Sequence, residues 1–176
     1  MAGAAAAHSP RALAAVCAAG RLVVPTLERD PVSAEDNRAL AYRWFEEVWN
    51  QGNVTAIDEL ATTDFVLHHP ARPGQPVDLA TYKQLYPVYR GALPDLHIVV
   101  EDTVAEATKV AVRLTQAGTH FGEYRGRAPS GKRITWTGLV LFHIRDGKIA
   151  EAWADEDWQG FQHQLGAAPM SAQAAG

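Results

Sequence analysis

The sequence predicts an α+β domain, and three observations predict it. Helical spacing dominates the first half of the chain, strand-like runs dominate the second half, and Asp146-Gly147 joins the last two runs as a two-residue hairpin turn. Helices that precede a set of antiparallel strands pack on one face of a curved sheet.

Ser33 is a good helix N-cap, and Asp36 stands where a capping-box acid belongs. Leu40, Trp44, Phe45, Val48 and Trp49 then recur at helical spacing, and Gly52 ends the helix as a C′ glycine does. Asn53 is placed to cap a short second helix carrying Ile57, Leu60 and Ala61. Asp64 to His69 reads as a strand stopped by Pro70, and the proline-rich stretch from Pro70 to Pro76 reads as a loop. Leu79 to Arg90 carries Tyr82, Leu85, Tyr86 and Tyr89 at helical spacing, with Pro87 predicting a kink or an early stop. Four runs rich in Val, Ile, Thr and aromatics follow, at Leu96 to Val104, Lys109 to His120, Lys132 to Ile144 and Lys148 to Asp157. A short helix, about Gln159 to Leu165, closes the domain. Residues 1–32 read as an alanine-rich disordered extension and 167–176 as a disordered tail, which leaves 33–166 as the folded domain.

Composition narrows the function. At 176 residues the chain suits one domain, and 47% hydrophobic against 20% charged residues excludes disorder for the bulk of it. Sixteen basic against twenty acidic residues, with no Lys/Arg cluster, argue against a nucleic-acid surface. A single cysteine, Cys17, excludes an internal disulfide and a Cys-rich zinc site. The apolar run Leu13 to Ala19 is too short to cross a bilayer and only Arg11 precedes it as a basic residue, so the chain reads as cytoplasmic, with no membrane partner.

The last hairpin predicts a pocket. Counting outward from a two-residue turn, Phe142 faces Glu151, Val140 faces Trp153, Gly138 faces Asp155 and Trp136 faces Asp157, all on one face. Carboxyl groups set among aromatic rings are desolvated and have raised proton affinity, which suits acid/base chemistry. Asp155 has no obvious structural task and is the leading acid/base candidate. Asp157 reads equally as an acid/base group or as the N-cap of the final helix, and Glu151 as an ion-pair partner of Arg145 or Lys148. The opposite face carries Leu139, Leu141, His143, Ala150, Ala152 and Ala154 and is also apolar, which predicts a homodimer through one side of the sheet.

His68 and His69 are adjacent on a strand and point to opposite faces, and no His-x-His or His-Glu-x-x-His occurs, so no metal site is expected. His120, in Gly118-Thr119-His120-Phe121-Gly122, reads as functional or structural. Ser130 lacks an activating context, and no phosphate-binding glycine loop follows a strand, so no nucleotide cofactor is implied.

The chain resembles the SnoaL-like polyketide cyclases, or ester cyclases, of the nuclear transport factor 2-like superfamily. The resemblance rests on Glu47-Val48-Trp49-Asn50-Gln51-Gly52-Asn53, Asp64 to His68, Leu93-Pro94-Asp95-Leu96, Gly118 to Gly122, Gly126, Pro129, Gly131, Asp146 to Ile149, Trp153, Asp157, Gly160 and Gln164-Leu165-Gly166. It implies a cone-shaped barrel of curved antiparallel sheet wrapped by the N-terminal helices around a hydrophobic pocket, and dimers packed through the outer sheet face. It also implies cofactor-free proton abstraction alpha to a carbonyl, followed by an aldol ring closure. Gap-free matching places the family's acid/base Asp at Ala154 and its partner His near Phe142; a bulge in the last strand would let Asp155 take the Ala154 direction.

The expected function is a cofactor-independent acid/base enzyme of secondary metabolism. It would act on a hydrophobic, polyketide-like or terpenoid-like molecule by cyclisation, isomerisation or dehydration. Asp155, Asp157, His120 and His68 are the expected catalytic residues, and Trp44, Tyr86, Trp136, Phe142 and Trp153 the expected pocket walls. Epoxide hydrolysis with Arg113 as the arginine is a related option on the same fold. The alternatives are a non-catalytic small-molecule-binding protein and a dimeric interaction module.

Overall fold

Ser33 and Asp36 form the expected reciprocal cap: the Ser33 hydroxyl accepts from the Asp36 N–H at 3.1 Å, and the Asp36 carboxylate accepts from the Ser33 N–H at 3.1 Å. The computed structural model describes residues 33–166, and the expectations for 1–32 and 167–176 lie outside them. Helix α1 spans Ala34–Arg43 and continues as a wider, π-helical stretch over Trp44–Asn50, closed by a Gln51 N–H to Glu46 carbonyl bond of 2.9 Å. The wider turn lets Trp44, Phe45, Val48 and Trp49 all face inward; single π-turns of this kind recur at functional sites.

A helix end leaves carbonyls without partners, and here side chains supply them. The Tyr86 hydroxyl donates to the Val48 carbonyl at 2.6 Å in a buried position. Asn50 acts as a substitute strand: its amide donates to the Ile98 carbonyl at 3.0 Å and accepts from the Ile98 N–H at 2.8 Å. Buried Asn37 bridges from α1 to the Glu106 and Ala107 carbonyls, both at 2.9 Å.

Helix α2 is Ala56–Leu60. Asn53 does not cap it directly but folds an Asx turn ahead of it, accepting from the Thr55 N–H at 3.2 Å. The first strand starts earlier than expected: β1 is Ala61–His68, because Ala61 ends α2 in an extended conformation. After the proline loop, Val77–Asp78 forms a short strand β2 that the sequence did not suggest. Helix α3 is Leu79–Ala92 and runs through Pro87 without stopping there. Tyr82 and Tyr86 lie buried on one side of α3, and this packing outweighs the hydrogen bond that Pro87 cannot make.

Strands β3 (His97–Ala105), β4 (Lys109–Thr119), β5 (Arg133–Arg145) and β6 (Lys148–Glu156) lie close to the predicted spans, and α4 is Trp158–Gln164. The curved six-stranded sheet has the order β2-β1-β6-β5-β4-β3 and does not close into a barrel. One pairing departs from the antiparallel expectation: β1 runs parallel to β6, with Val66 beside Glu151 and His68 beside Trp153. Asp146 and Gly147 have φ of 53° and 72°, as a primed hairpin turn requires.

The register of that hairpin departs from simple counting. Arg145 pairs with Lys148 and Ile144 with Ile149, but His143 then pairs with Glu151, so β6 carries one extra residue at Ala150. Every side chain beyond the bulge therefore exchanges faces. Phe142 lies opposite Ala152, Val140 opposite Ala154 and Gly138 opposite Glu156 on the inner face. Glu151, Trp153 and Asp155 lie on the outer face with His143, Leu141 and Leu139.

The core sits between the inner face and the helices, where Val48, Ile57, Leu60, Phe65, Val110, Phe142 and Ile149 are almost wholly excluded from solvent. Among the described residues no helix is long and apolar enough to cross a membrane.

Two stability measurements check these local arguments. Tyr86→Phe leaves the buried Val48 carbonyl without its donor and is expected to lower unfolding stability by about 1–3 kcal/mol, read from denaturant melts. Asp157 accepts from the Gly160 N–H at 2.8 Å as the cap of α4, so Asp157→Ala is expected to lower stability by about 0.5–2 kcal/mol in the same assay.

Candidate active site

The inner face of the sheet and the helices enclose a cavity with an empty volume of about 950 Å³, its open mouth included. Trp44, Phe45 and Trp49 from the π-helical stretch and Tyr82, Tyr86 and Tyr89 from α3 form one wall. Gln116 of β4, Trp136, Val140 and Phe142 of β5, and Ala152, Ala154 and Glu156 of β6 form the other. The Trp44 ring lies 5.8 Å from Phe65, 5.6 Å from Tyr82 and 6.2 Å from Phe142, so the interior is a continuous aromatic cluster.

Glu156 is the one carboxylate among the described residues that line this cavity. Its side chain is 17% exposed. The Trp136 indole N–H donates to its Oε2 at 3.2 Å. Gly138 opposes it across the hairpin, and a β-carbon there would stand 2.8 Å from the Glu156 Cγ. Gly138 is therefore the space into which the Glu156 chain folds.

His69, just beyond the end of β1, brings its Nε2 to 3.8 Å from the same Oε2 of Glu156. Its Nδ1 accepts the Ala71 N–H at 3.0 Å, which places the ring hydrogen of the neutral form on Nε2, toward Glu156. The His69 ring stands edge-on to Trp158 at 5.3 Å. Burial raises the proton affinities of the Tyr82 and Tyr89 hydroxyls, so both remain neutral phenols. The Gln116 amide nitrogen is buried with no hydrogen-bond partner among the described residues. Those residues contain no cluster of three His, Cys, Asp or Glu arranged to hold a metal ion.

The residues predicted as the site divide. Trp44, Tyr86, Trp136 and Phe142 line the cavity. Trp153 does not: it is 49% exposed on the outer face and stacks on His68 at 3.7 Å. His68 also lies outside, with its Nε2 2.8 Å from Glu151, whose other oxygen is 2.8 Å from His143 Nδ1. The His68 hydrogen bond, with the nearby His143 charge, holds the Glu151 carboxyl below its ordinary range. Arg145 instead pairs with Asp64, and Lys148 donates to the Asp58 carbonyl at 3.0 Å, so neither is the partner of Glu151.

Asp155 is exposed on the outer face beside Leu139, because the bulge at Ala150 turns it away from the cavity. The bulge brings Ala154 and Glu156 inward instead. Asp157 is the exposed cap of α4. His120 is fully buried away from the cavity, where its Nδ1 lies 3.1 Å from the Ser130 hydroxyl and its backbone ties down the excursion between β4 and β5. Glu156 and His69 are each one residue beyond a predicted partner, Asp155 and His68. Nothing in the residue pattern marks the bulge, although the adjacency of His68 and His69 did imply that one of the two faces inward.

The family model for SnoaL-like polyketide cyclase matches residues 39–165. Over 57 residues the chain is 40% identical to aklanonic acid methyl ester cyclase AcmA of Streptomyces galilaeus, a match spanning 32% of this chain and about two fifths of that relative's length. Among solved structures, AclR of Streptomyces galilaeus, a hydroxylase candidate, superposes with a TM-score of 0.70 at 28% identity, covering 78% of this chain and 100% of that one. IdmH of Streptomyces antibioticus, a polyketide cyclase candidate, superposes with a TM-score of 0.64 at 28% identity, covering 74% and 98%. An open curved sheet wrapped by N-terminal helices around an aromatic pocket, matched to that family model along most of its length, makes this chain a member of the SnoaL-like polyketide cyclase family.

Proposed function

We propose that the chain is a cofactor-independent proton-transfer enzyme that cyclises a hydrophobic, polyketide-like molecule, with Glu156 as its acid/base and His69 as its hydrogen-bond donor. The observation that carries this reading is the lone pocket carboxylate, held by Trp136 and approached by His69 at 3.8 Å. Ala154 and Phe142, where the family resemblance places an Asp and a His, both face the cavity as apolar residues. Glu156 supplies the carboxylate two residues further along the same face.

The chemistry follows from the positions. Glu156 takes a proton from a carbon alpha to a carbonyl, and the electron pair moves onto the carbonyl oxygen. The His69 Nε2–H and the unpartnered Gln116 amide are the donors available to that oxygen. The enolate carbon then attacks a second carbonyl of the same molecule, and the proton held by Glu156 passes to the new alkoxide. The aromatic walls exclude water, which favours ring closure over loss of the enolate to solvent.

Turnover of aklanonic acid and of its methyl ester tests this. Glu156→Gln is expected to lower kcat by about 100-fold or more while ligand affinity stays within a few-fold. Asp155→Asn, on the outer face, is expected to leave kcat unchanged. Loss of turnover in Asp155→Asn with Glu156→Gln still active would overturn the assignment. A wild-type chain that binds these compounds and never turns them over would be a carrier rather than an enzyme.

We further propose that the outer sheet face joins a second copy of the chain. Val99, Leu139 and Trp153 are each about half exposed there, on strands that share one sheet. Sedimentation is expected to give a dimer for the wild type and a monomer for the Leu139→Asp, Trp153→Asp double variant, with a monomeric wild type as the contrary result.

A further inference from the structure

The charged lining of the cavity is cationic, although the chain as a whole carries a formal charge of −4. Against the one carboxylate, Glu156, among the described residues lining it stand two arginines, Arg72 and Arg125. Both belong to the end of the cavity that holds His69. The Arg72 backbone N–H donates to the His69 carbonyl at 2.9 Å. The Arg125 guanidinium lies 5.6 Å from the ring centre of Trp158, the same ring that meets His69. Arg125 is also 5.6 Å from the ring centre of Tyr124.

Apart from Arg113, which is exposed on β4, the other arginines among the described residues are engaged. Arg38, Arg43 and Arg145 each hold a carboxylate, and Arg90 and Arg127 each donate to an oxygen. Neither Arg72 nor Arg125 has a side-chain hydrogen bond or a carboxylate within 4.0 Å among the described residues. Arg125 also has φ of 50°, in the left-handed region that Asn and Gly adopt far more readily than Arg. With Gly126 at φ of 80° it forms the two-residue primed turn between Tyr124 and Arg127, and the turn carries the guanidinium over two aromatic rings.

We propose that Arg72 and Arg125 form an anion-recognition subsite, so that the ligand of this pocket carries an anionic oxygen at the His69 end, a carboxylate or the ionised phenol of a fused aromatic ring. The planar guanidinium fork matches a carboxylate in two parallel hydrogen bonds and a phenolate oxygen in converging ones, and the apolar body of the ligand then lies against Trp44, Phe65, Tyr82 and Phe142. This inference rests on the pocket being a ligand site. It adds that the pocket selects an acid over its neutral ester.

Quenching of tryptophan fluorescence in the full chain tests it with three probes: anthraquinone-2-carboxylate, its methyl ester, and 2-hydroxyanthraquinone above and below its phenol pKa. The acid is expected to bind about tenfold or more tightly than the ester, and added salt is expected to weaken the acid alone. Arg72→Gln and Arg125→Asn are each expected to cut affinity for the acid about tenfold and to leave the ester within about twofold. Arg125→Asn suits the backbone conformation, so its melting temperature is expected to hold while affinity falls. Tight binding of the hydroxy probe only when ionised identifies a phenolate as sufficient; weak binding in both forms with a tight acid identifies the carboxylate. Equal affinity for acid and ester, or equal losses for both in the variants, overturns the subsite and leaves the pocket standing. Failure of every probe to bind overturns the pocket reading as well.

Discussion

One extra residue in the last strand governs the character of this pocket. Side chains on a strand alternate with a period of two, so the bulge at Ala150 exchanges the two faces of β6 from Glu151 onward. Two small residues, Ala152 and Ala154, then face the helices and leave a hollow, while the bulky Trp153 is turned outward. The same exchange delivers Glu156 to the aromatic interior and Asp155 to solvent. Cavity volume and the placement of the cavity carboxylate thus share a single backbone cause.

The helical wall depends on a second irregularity. The first helix widens over Trp44–Asn50 and directs Trp44, Phe45 and Trp49 inward, and its end leaves carbonyls without helical partners. Tyr86 satisfies the Val48 carbonyl, and Asn50 docks the end of the stretch onto β3 through both hydrogen bonds of Ile98. These polar contacts hold helix and sheet in position around a space that apolar packing alone would tend to collapse.

The electrostatics of the cavity follow from what is missing around it. The Glu156 carboxylate has one indole donor and one imidazole nitrogen, at 3.8 Å, as its polar neighbours among the described residues. The outer-face carboxylate Glu151 is in the opposite condition, between two histidines that stabilise its charge. The two groups sit five residues apart on one strand and on opposite sides of it.

Much of the fold was legible in the residues. The capping box at Ser33, the Asp146-Gly147 turn and the β-branched runs are local signals, because each acts through hydrogen bonds or torsions within a few positions. The family and four of the five expected pocket walls, Trp44, Tyr86, Trp136 and Phe142, were legible for the same reason: a periodic aromatic face shows in one dimension. The pocket carboxylate and imidazole were not. Which of His68 and His69, and which of Asp155 and Glu156, faces inward depends on a one-residue offset that has no composition signature. Only pairing with β5 and β1 decides it, because register is a property of two strands and not of either one alone.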